Sequence, residues 1–180
     1  AWLNFTEDVK NLGIPLTELR IWLELMREHT TRLPAQSPTV KGRYKPSVSI
    51  FDHSRVSAAL AHILANSALN DDEIQRLPII KDKSVRPFGL LLGDLSGVQP
   101  FLYTGSTARA VRALKGRSFF LQFLTESFAS LVCKDLGLTP FAELYSGGGR
   151  CVLICPSQAG LTDLRKKVEQ ILLEMLGGKA

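Results

Sequence analysis

The sequence predicts an α+β fold in which a small all-α segment precedes a βαββα unit. Two observations predict it. In the first 84 of the 180 residues, apolar residues recur mostly at helical spacing. From residue 88 onwards, short apolar runs typical of strands alternate with longer amphipathic stretches typical of helices. We therefore divide the chain near Val85 into a helical segment, residues 1–84, and an α+β domain, residues 85–180.

The helical segment contains two amphipathic helices joined by a loop. Leucines and a methionine recur at helical spacing from Pro15 to about Thr30, which predicts the first helix. Residues 33–46 contain three prolines and a glycine and are predicted to form the loop. The second helix is predicted to begin with Asp52 or Ser54 as its N-cap.

The α+β domain begins with an apolar strand at 88–92, which we expect to be central and covered on both faces. A helix at 114–136 follows, with Gly137 as its stop, and then a hairpin with strands at 143–145 and 150–155. The last helix begins at Leu161 and ends at Gly177 and Gly178. This order lacks only the final strand of a ferredoxin-like sheet, so we expect the chain to be cut from a longer polypeptide.

Composition restricts the classes of protein to which the chain can belong. With 45% apolar and 22% charged residues, it is expected to be globular. Its formal net charge of +5 favours an anionic partner. It has no signal peptide pattern and no uncharged apolar run of membrane-spanning length, so we expect a cytoplasmic protein without a membrane partner. Its three cysteines form no Cys-x-x-Cys pair, which argues against a disulfide framework and a zinc cluster.

A first candidate site follows the first strand. Gly93, Asp94, Ser96 and Gly97 place a carboxylate, a hydroxyl and two glycines at the end of that strand. An Asp in this position can hold Mg²⁺, which prefers carboxylate oxygen and keeps water or phosphate in its remaining positions. The alternative is a plain turn in which Asp94 caps the next segment.

The glycine-rich hairpin is expected to lie beside this turn. Ser146, Gly147, Gly148 and Gly149 offer almost no side chains, so a base or a phosphate could approach the backbone. A plain flexible turn is the alternative. The hairpin contains no carboxylate, whereas two-metal chemistry needs at least two, so we assign no catalytic residue.

A basic run precedes and enters the long helix. Arg109, Arg112, Lys115 and Arg117 stand within nine residues with no acid between them. The first three are candidate RNA or phosphate contacts, and Arg117 with Ser118, nearest the sheet, are the preferred nucleotide phosphate contacts. A solvated helix face is the alternative.

Asp52 and His53 form a possible metal pair, because carboxylate and neutral imidazole both ligate divalent ions. A metal site needs three or four ligands, and His62 is expected to face another side of the helix. The alternative is that Asp52 serves only as an N-cap.

Four segments in this order resemble the large subunit of type III CRISPR interference complexes, the Cas-ten family. They are Phe51 to Ala61, Gly93 to Phe101, Leu114 to Leu121 and Leu144 to Gly149. The resemblance covers about residues 45–155. In that family an HD nuclease domain precedes two palm domains, which bind two ATP molecules between them and make cyclic oligoadenylate when target RNA is bound.

The resemblance implies that the chain holds the last helices of the HD domain and the first palm, a ferredoxin-like fold. It places Asp52 near the HD metal site, but the paired His-Asp motif of the family is missing. The Gly-Gly-Asp-Asp hairpin of the family belongs to the second palm, and Ser146 to Gly149 stand in the matching hairpin here. The implied ligand is ATP with Mg²⁺ or Mn²⁺ in the full protein, with nothing bound tightly by this chain alone. The implied partners are the second palm, other subunits, and guide and target RNA.

Three other functions remain open. A free-standing palm cyclase would need an acidic hairpin, which is absent from residues 146–149. An RNA-recognition module would present aromatic residues on a central strand, and residues 150–155 contain none. A purely structural module within a ribonucleoprotein complex would bind no nucleotide.

Overall fold

The computed structural model describes residues 2–35, 47–77, 86–104, 110–157 and 161–175. Within the first two ranges the chain forms four helices. They are α1 (Trp2–Leu12), α2 (Leu19–Thr30), α3 (Ile50–Ala65) and α4 (Asp71–Arg76). Helix α1 was not predicted, and α2 and α3 correspond to the two predicted helices.

The later ranges contain the βαββα unit. Its elements are β1 (Phe88–Asp94), α5 (Val98–Tyr103), α6 (Ala110–Asp135), β2 (Glu143–Gly147), β3 (Arg150–Pro156) and α7 (Leu161–Met175), with a 3₁₀ turn at Pro140–Ala142. The predicted order of strands and helices is confirmed, with the short α5 as an unpredicted addition. Each of the three strands is longer than predicted by one or two residues.

The three strands form an antiparallel sheet in the order β1-β3-β2. The strand β3 therefore lies in the middle, and β1 pairs on one side only within the described residues. The prediction that β1 is central and covered on both faces is wrong for this sheet. The side chains of Leu90 and Leu92 lie on the face of β1 that points away from α6 and α7, and they are 71% and 66% exposed. Leu91, on the other face, packs against the cluster formed with α6 and α7, and Phe88, at the start of the strand, packs against the cluster at α3.

Two apolar clusters hold the fold together. On one face of the sheet, α6 and α7 pack over Cys151 and Leu153 of β3, and Ala129 and Val132 of α6 are completely buried. On the other face, α3 packs against Ile154. The helical segment thus shares a core with the sheet, at the end that carries the start of β1.

The ends of the helices are set by local signals. Helix α6 ends with Gly137 at φ +64°, and the amides of Gly137 and Leu138 donate to the carbonyls of Lys134 and Cys133. This is the Schellman arrangement, so the predicted stop is confirmed. Helix α3 has Ser49 as its N-cap, whose hydroxyl accepts from the amide of Asp52 at 3.0 Å. The predicted N-cap at Asp52 or Ser54 is therefore wrong, and Asp52 is the third residue of the helix.

Some predictions fall outside the described residues. These are the domain boundary near Val85, most of the predicted loop, the basic residue Arg109, and the stops at Gly177 and Gly178. Among the helices that the structure describes, none is long and apolar enough to cross a membrane.

Candidate functional site

The turn after β1 and the tip of the β2–β3 hairpin meet at one end of the sheet. The amide of Leu95 donates to the carbonyl of Gly149 at 2.8 Å, and Asp94 stands opposite Arg150 in the β1–β3 register. The prediction that Asp94 and the hairpin glycines share one end of the sheet is confirmed. We call this region, Asp94–Gly97 with Gly147–Arg150, the hairpin end.

The glycines of the hairpin tip have different reasons to be glycine. Gly149 has φ +90°, and a Cβ there would lie 2.8 Å from Cγ2 of Val98. Its amide donates to the buried hydroxyl of Thr125 on α6. Gly148 has φ +60°, but a Cβ there would meet no atom within 4 Å. Gly149 is therefore required by packing, whereas Gly148 presents an open stretch of backbone.

Gly93 also serves packing. A Cβ at this position would lie 2.7 Å from the Cys151 sulfur and 2.8 Å from Cε1 of Phe128. The small size of Gly93 therefore allows α6 to pack closely against the sheet. Gly97 has φ +76° with no atom within 4 Å of a built Cβ, and it is the N-cap of α5 beside the exposed Ser96.

Asp94 does not cap the following helix by its side chain. Its Oδ1 accepts from Nε of Arg150 at 3.2 Å, and the Asp94 and Arg150 side chains are 53% and 67% exposed. Sequence reasoning missed Arg150, because the pair joins residues 56 positions apart. Only the register between β1 and β3 shows that Arg150 lies beside Asp94.

Ser146 is not brought to Asp94. It stands in register with Cys151, one residue from Arg150, so its side chain leaves the sheet on the face opposite to that of Asp94. Its hydroxyl is buried and has no hydrogen-bond partner in the described structure. It lines a polar cavity of about 330 Å³ with Arg20, Arg55 and Glu143. A nucleotide contact through the Ser146 hydroxyl stays a prediction, which this geometry does not favour.

The basic run lies along α6. Because α6 begins by Ala110 and not near Leu114, Arg117 and Ser118 stand two turns inside it, where backbone amides are hydrogen-bonded within the helix and do not bind an anion. The guanidinium of Arg117 donates to the carbonyls of Leu102 and Thr104 at the end of α5. Arg112 and Lys115 are exposed.

Ser118 lies one turn before Gln122, a residue that the sequence analysis did not select. Gln122 donates to the carbonyl of Ser146 at 3.4 Å, and its Oε1 would lie 3.3 Å from a Cβ built on Gly147. The exposed Ser118 therefore stands on the face of α6 that approaches the hairpin.

Both carboxylate oxygens of Asp52 have hydrogen-bond partners within the protein. Its Oδ2 accepts from the Ser49 hydroxyl at 2.8 Å and its Oδ1 from Arg55 at 3.3 Å. Arg55 also donates to the carbonyl of Glu143, which ties α3 to the start of β2. His53 is exposed, and the described residues contain no group of three or more potential metal ligands. A metal site at Asp52 and His53 stays a prediction that these contacts do not favour.

Burial shifts the pKa values of several titratable groups near the sheet. Burial raises the pKa of the Cys133 thiol to about 11, and burial likewise raises the pKa values of Cys151 and Cys155. Burial also raises the pKa of Glu143, against the opposing effect of Arg20. None of these groups belongs to the hairpin end. Cys151 follows it directly, and its raised pKa makes it a poor nucleophile.

A larger cavity of about 620 Å³ lies between β1, α6 and α7. It is lined by Leu91 and Leu92 of β1, Phe128 of α6, and Leu164 and Val168 of α7, and Asp94 also lines it. A complete split βαβ sheet has a further strand beside β1, and among the described residues the second edge of β1 has no partner strand. We therefore do not assign this cavity to a small ligand.

The hairpin end offers one carboxylate, one guanidinium, a hydroxyl and open glycine backbone. Such a set can bind a phosphate and can supply one oxygen to a divalent cation. It cannot hold two metal ions about 4 Å apart, because that needs at least two carboxylates.

Comparison with known proteins gives one family. A family model described as Csm1 subunit domain B matches residues 87–180. The chain is 32% identical over 178 residues to the Cas10/Csm1 protein of Methanocaldococcus jannaschii, a single-strand-specific deoxyribonuclease of a subtype III-A CRISPR system, covering 87% of this chain and 22% of that protein. It is 31% identical over 130 residues to the Enterococcus italicus protein of the same description, covering 68% of this chain and 17% of that protein. The chain thus spans about a fifth of the length of these curated relatives.

Solved structures give the same fold. A Csm1–Csm4 cassette in complex with AMPPNP superposes with a TM-score of 0.75 at 21% identity, over 99% of this chain and 23% of that chain. An apo Csm1–Csm4 cassette superposes with a TM-score of 0.58 at 26% identity, over 86% of this chain and 19% of that chain. The palm-like α+β fold predicted from the sequence is confirmed.

Proposed function

The chain belongs to the Csm1 family, the Cas10 large subunits of type III CRISPR interference complexes, and from this membership we propose that residues 85–180 form an ATP-binding first palm. The observation that carries the proposal is the meeting of two turns at the hairpin end. Asp94 and the open backbone of Gly148 lie on turns that a main-chain hydrogen bond joins. The turn at Asp94 and the glycine-rich hairpin thus form one surface, whose groups can bind a phosphate and a divalent cation.

The residues present fit one cation position and not two. Asp94 would supply a single carboxylate oxygen to Mg²⁺ or Mn²⁺, which would keep water or phosphate in its remaining positions. Bound there, the cation would neutralise phosphate charge. This chain's own part is to present open backbone at Gly147 and Gly148, with Ser96, Gly97 and Ser118 lying around the phosphate.

A second palm of the same polypeptide would supply the remaining contacts. In the full protein the shared site would support cyclic oligoadenylate synthesis and RNA-activated antiviral defence, beside other subunits and guide and target RNA. Structures of Csm1–Csm4 cassettes in complex with AMPPNP and with cA4 support this role. The uncovered Leu90 and Leu92 also support a position within a larger assembly. This chain alone is proposed to have neither cyclase nor nuclease activity.

Calorimetric titration of ATP with Mg²⁺ tests the proposal. The two-palm protein should bind with micromolar affinity and this chain alone with affinity nearer millimolar, because several charge-assisted contacts of about 1.5–3 kcal/mol each would be missing. Replacing Gly148 by Asn should weaken binding by the two-palm protein about tenfold or more, since the new side chain would occupy the open space over the tip. Asn tolerates the left-handed conformation that φ +60° requires.

Gly137→Asn is the matched control. Gly137 has φ +64° and open space around a built Cβ, but it lies at the end of α6. The Gly137→Asn variant should leave ATP affinity unchanged, and circular dichroism should show that both asparagine variants are folded. If Gly148→Asn binds ATP as well as the parent, the hairpin is only a turn and the purely structural role is favoured.

RNA contact is a second candidate function, favoured by one observation. The first sixteen residues of α6 contain Arg112, Lys115 and Arg117 and no acid, and the nearby Phe119 and Phe123 are 73% and 60% exposed. Cations beside exposed aromatic rings suit single-stranded nucleic acid. Replacing Arg112 and Lys115 by Ala should then reduce RNA affinity and the salt dependence of binding. An unchanged salt slope would remove this candidate.

A further inference from the structure

We propose that Arg150 is a phosphate-binding residue of the hairpin end, kept in place by Asp94 until a ligand arrives. The inference rests on the proposed function, since it names a further ligand of the same phosphate group. Arg150 follows the glycines directly and is the first residue of β3. Its position is fixed by the sheet register and not by a loop.

The contact between Arg150 and Asp94 uses a small part of the guanidinium. Only Nε donates, at 3.2 Å to Oδ1, and the described contacts include no partner for the two terminal nitrogens. The side chain is 67% exposed. A guanidinium held in this way keeps a planar set of N–H donors, which matches the oxygens of a phosphate.

The neighbours of Arg150 leave room for its side chain to move. Across β2 it stands opposite Gly147, and the following tip residue, Gly148, has open space around it. Exposed ion pairs contribute little to stability, so exchanging Asp94 for another anion costs little. Arg150 can therefore turn from Asp94 towards the hairpin tip without disturbing the packed core.

The pair is complementary to a phosphate that carries a divalent cation. Asp94 presents a carboxylate to the cation, and Arg150 presents its donors to the phosphate oxygens. A phosphate without a cation would meet Arg150 but would also be repelled by Asp94. The arrangement therefore predicts that the two residues act in opposite directions on metal-free nucleotide.

Calorimetry on the two-palm protein tests this, with three probes: ATP with Mg²⁺, ATP with EDTA, and inorganic tripolyphosphate with Mg²⁺. Arg150→Ala should weaken binding of ATP with Mg²⁺ about tenfold to a hundredfold, as expected for one charge-assisted contact. Arg150→Lys should have an affinity between those of the parent and Arg150→Ala, because an ammonium keeps the charge and loses the planar donors. Asp94→Asn should strengthen binding of metal-free ATP, and adding Arg150→Ala to Asp94→Asn should weaken that binding again.

Arg27→Ala is the control, because Arg27 also makes an exposed ion pair, with Glu24 on α2, and it should change each affinity by less than about twofold. If ATP binds equally well to Arg150→Ala and the parent, the inference is overturned while the proposed function stands. If tripolyphosphate binding depends on Arg150 and ATP binds no more tightly than tripolyphosphate, the inference stands and the ATP proposal fails. Absence of binding by all three probes overturns both.

Discussion

Gly93 lies so close to Phe128 that a methyl group on its α-carbon would stand 2.8 Å from the ring carbon Cε1. The same methyl group would stand 2.7 Å from the Cys151 sulfur. Gly93→Ala should therefore lower the free energy of unfolding by about 1–3 kcal/mol, the usual cost of overpacking a core. Urea denaturation followed by circular dichroism measures it.

Gly89 provides the control on the same strand. A Cβ there would make ordinary contacts, 3.6 Å from the Cys155 sulfur. Gly89→Ala should be close to neutral. Shortening the opposing side chain with Phe128→Leu should recover part of the loss in Gly93→Ala. Equal stability of the two alanine variants would contradict the packing role of Gly93.

The hydroxyl of Thr125 should be needed to hold the hairpin tip. Thr125 is 1% exposed, donates to the carbonyl of Leu121 and accepts from the amide of Gly149 at 3.2 Å. Thr125→Val keeps the shape but leaves that amide unpaired, so we expect a loss of about 1–3 kcal/mol in unfolding free energy. Faster hydrogen exchange at the Gly149 amide should accompany it.

Thr125→Ser, which keeps the hydroxyl, should protect the Gly149 amide as the parent does. If Thr125→Val leaves both stability and exchange unchanged, the hydrogen bond does not hold the tip.

The pH dependence of stability should contain a contribution from Glu143. Burial raises the pKa of its carboxyl in the folded chain, so the folded state favours the protonated form. This contribution is fully present below the ordinary pKa near 4.5 and is lost as the pH rises through the raised value. Glu143→Gln, which cannot ionise, should therefore melt at a higher temperature than the parent at pH 7 and at a similar temperature below pH 4.5.

The exposed Glu169 on α7, paired with Arg165, gives the control. Glu169→Gln should show no gain at pH 7. A Glu143→Gln variant that is less stable than the parent at pH 7 would mean that attraction to Arg20 outweighs the cost of burial.

The three thiols should be unreactive in the folded chain. Cys133, Cys151 and Cys155 are each less than 5% exposed, and burial raises the pKa of all three. Thiol reagents attack the thiolate, so labelling at pH 8 should be slow and limited by opening of the fold. In the denatured chain all three thiols should react with the reagent at once. Rapid labelling of any one thiol under native conditions would contradict its position in the core.

Sequence patterns were sufficient where the signal is local. The stop of α6 depends on Gly137 and the two amides around it, and the hairpin depends on glycines between two apolar runs. Each of these features is decided within a few residues, so it could be read in the chain directly. The βαββα order followed from the same local patterns.

Sequence patterns failed where distant residues decide. The position of β1 depends on which strands pair with it, and the Asp94–Arg150 contact depends on the register of β3. Ser146 and Asp94 looked like neighbours in the same site, but the alternation of side chains along β3 sends them to opposite faces. The capping role of Ser49 was missed because Asp52 and Ser54 are also good N-cap residues, and only the contacts separate them.

The pairing of β1 with β3 also determines how quickly the chain can fold. Its nearest partners in sequence, Asp94 and Arg150, are 56 positions apart, so β1 leaves the ribosome well before the strand that covers its edge. Distant pairing slows folding, because a long loop must close before any ladder hydrogen bond forms. During that interval both edges of the apolar strand β1 are open, and such a strand is the kind of segment that pairs with other chains. Production of this protein should therefore lose part of the chain to aggregation during synthesis.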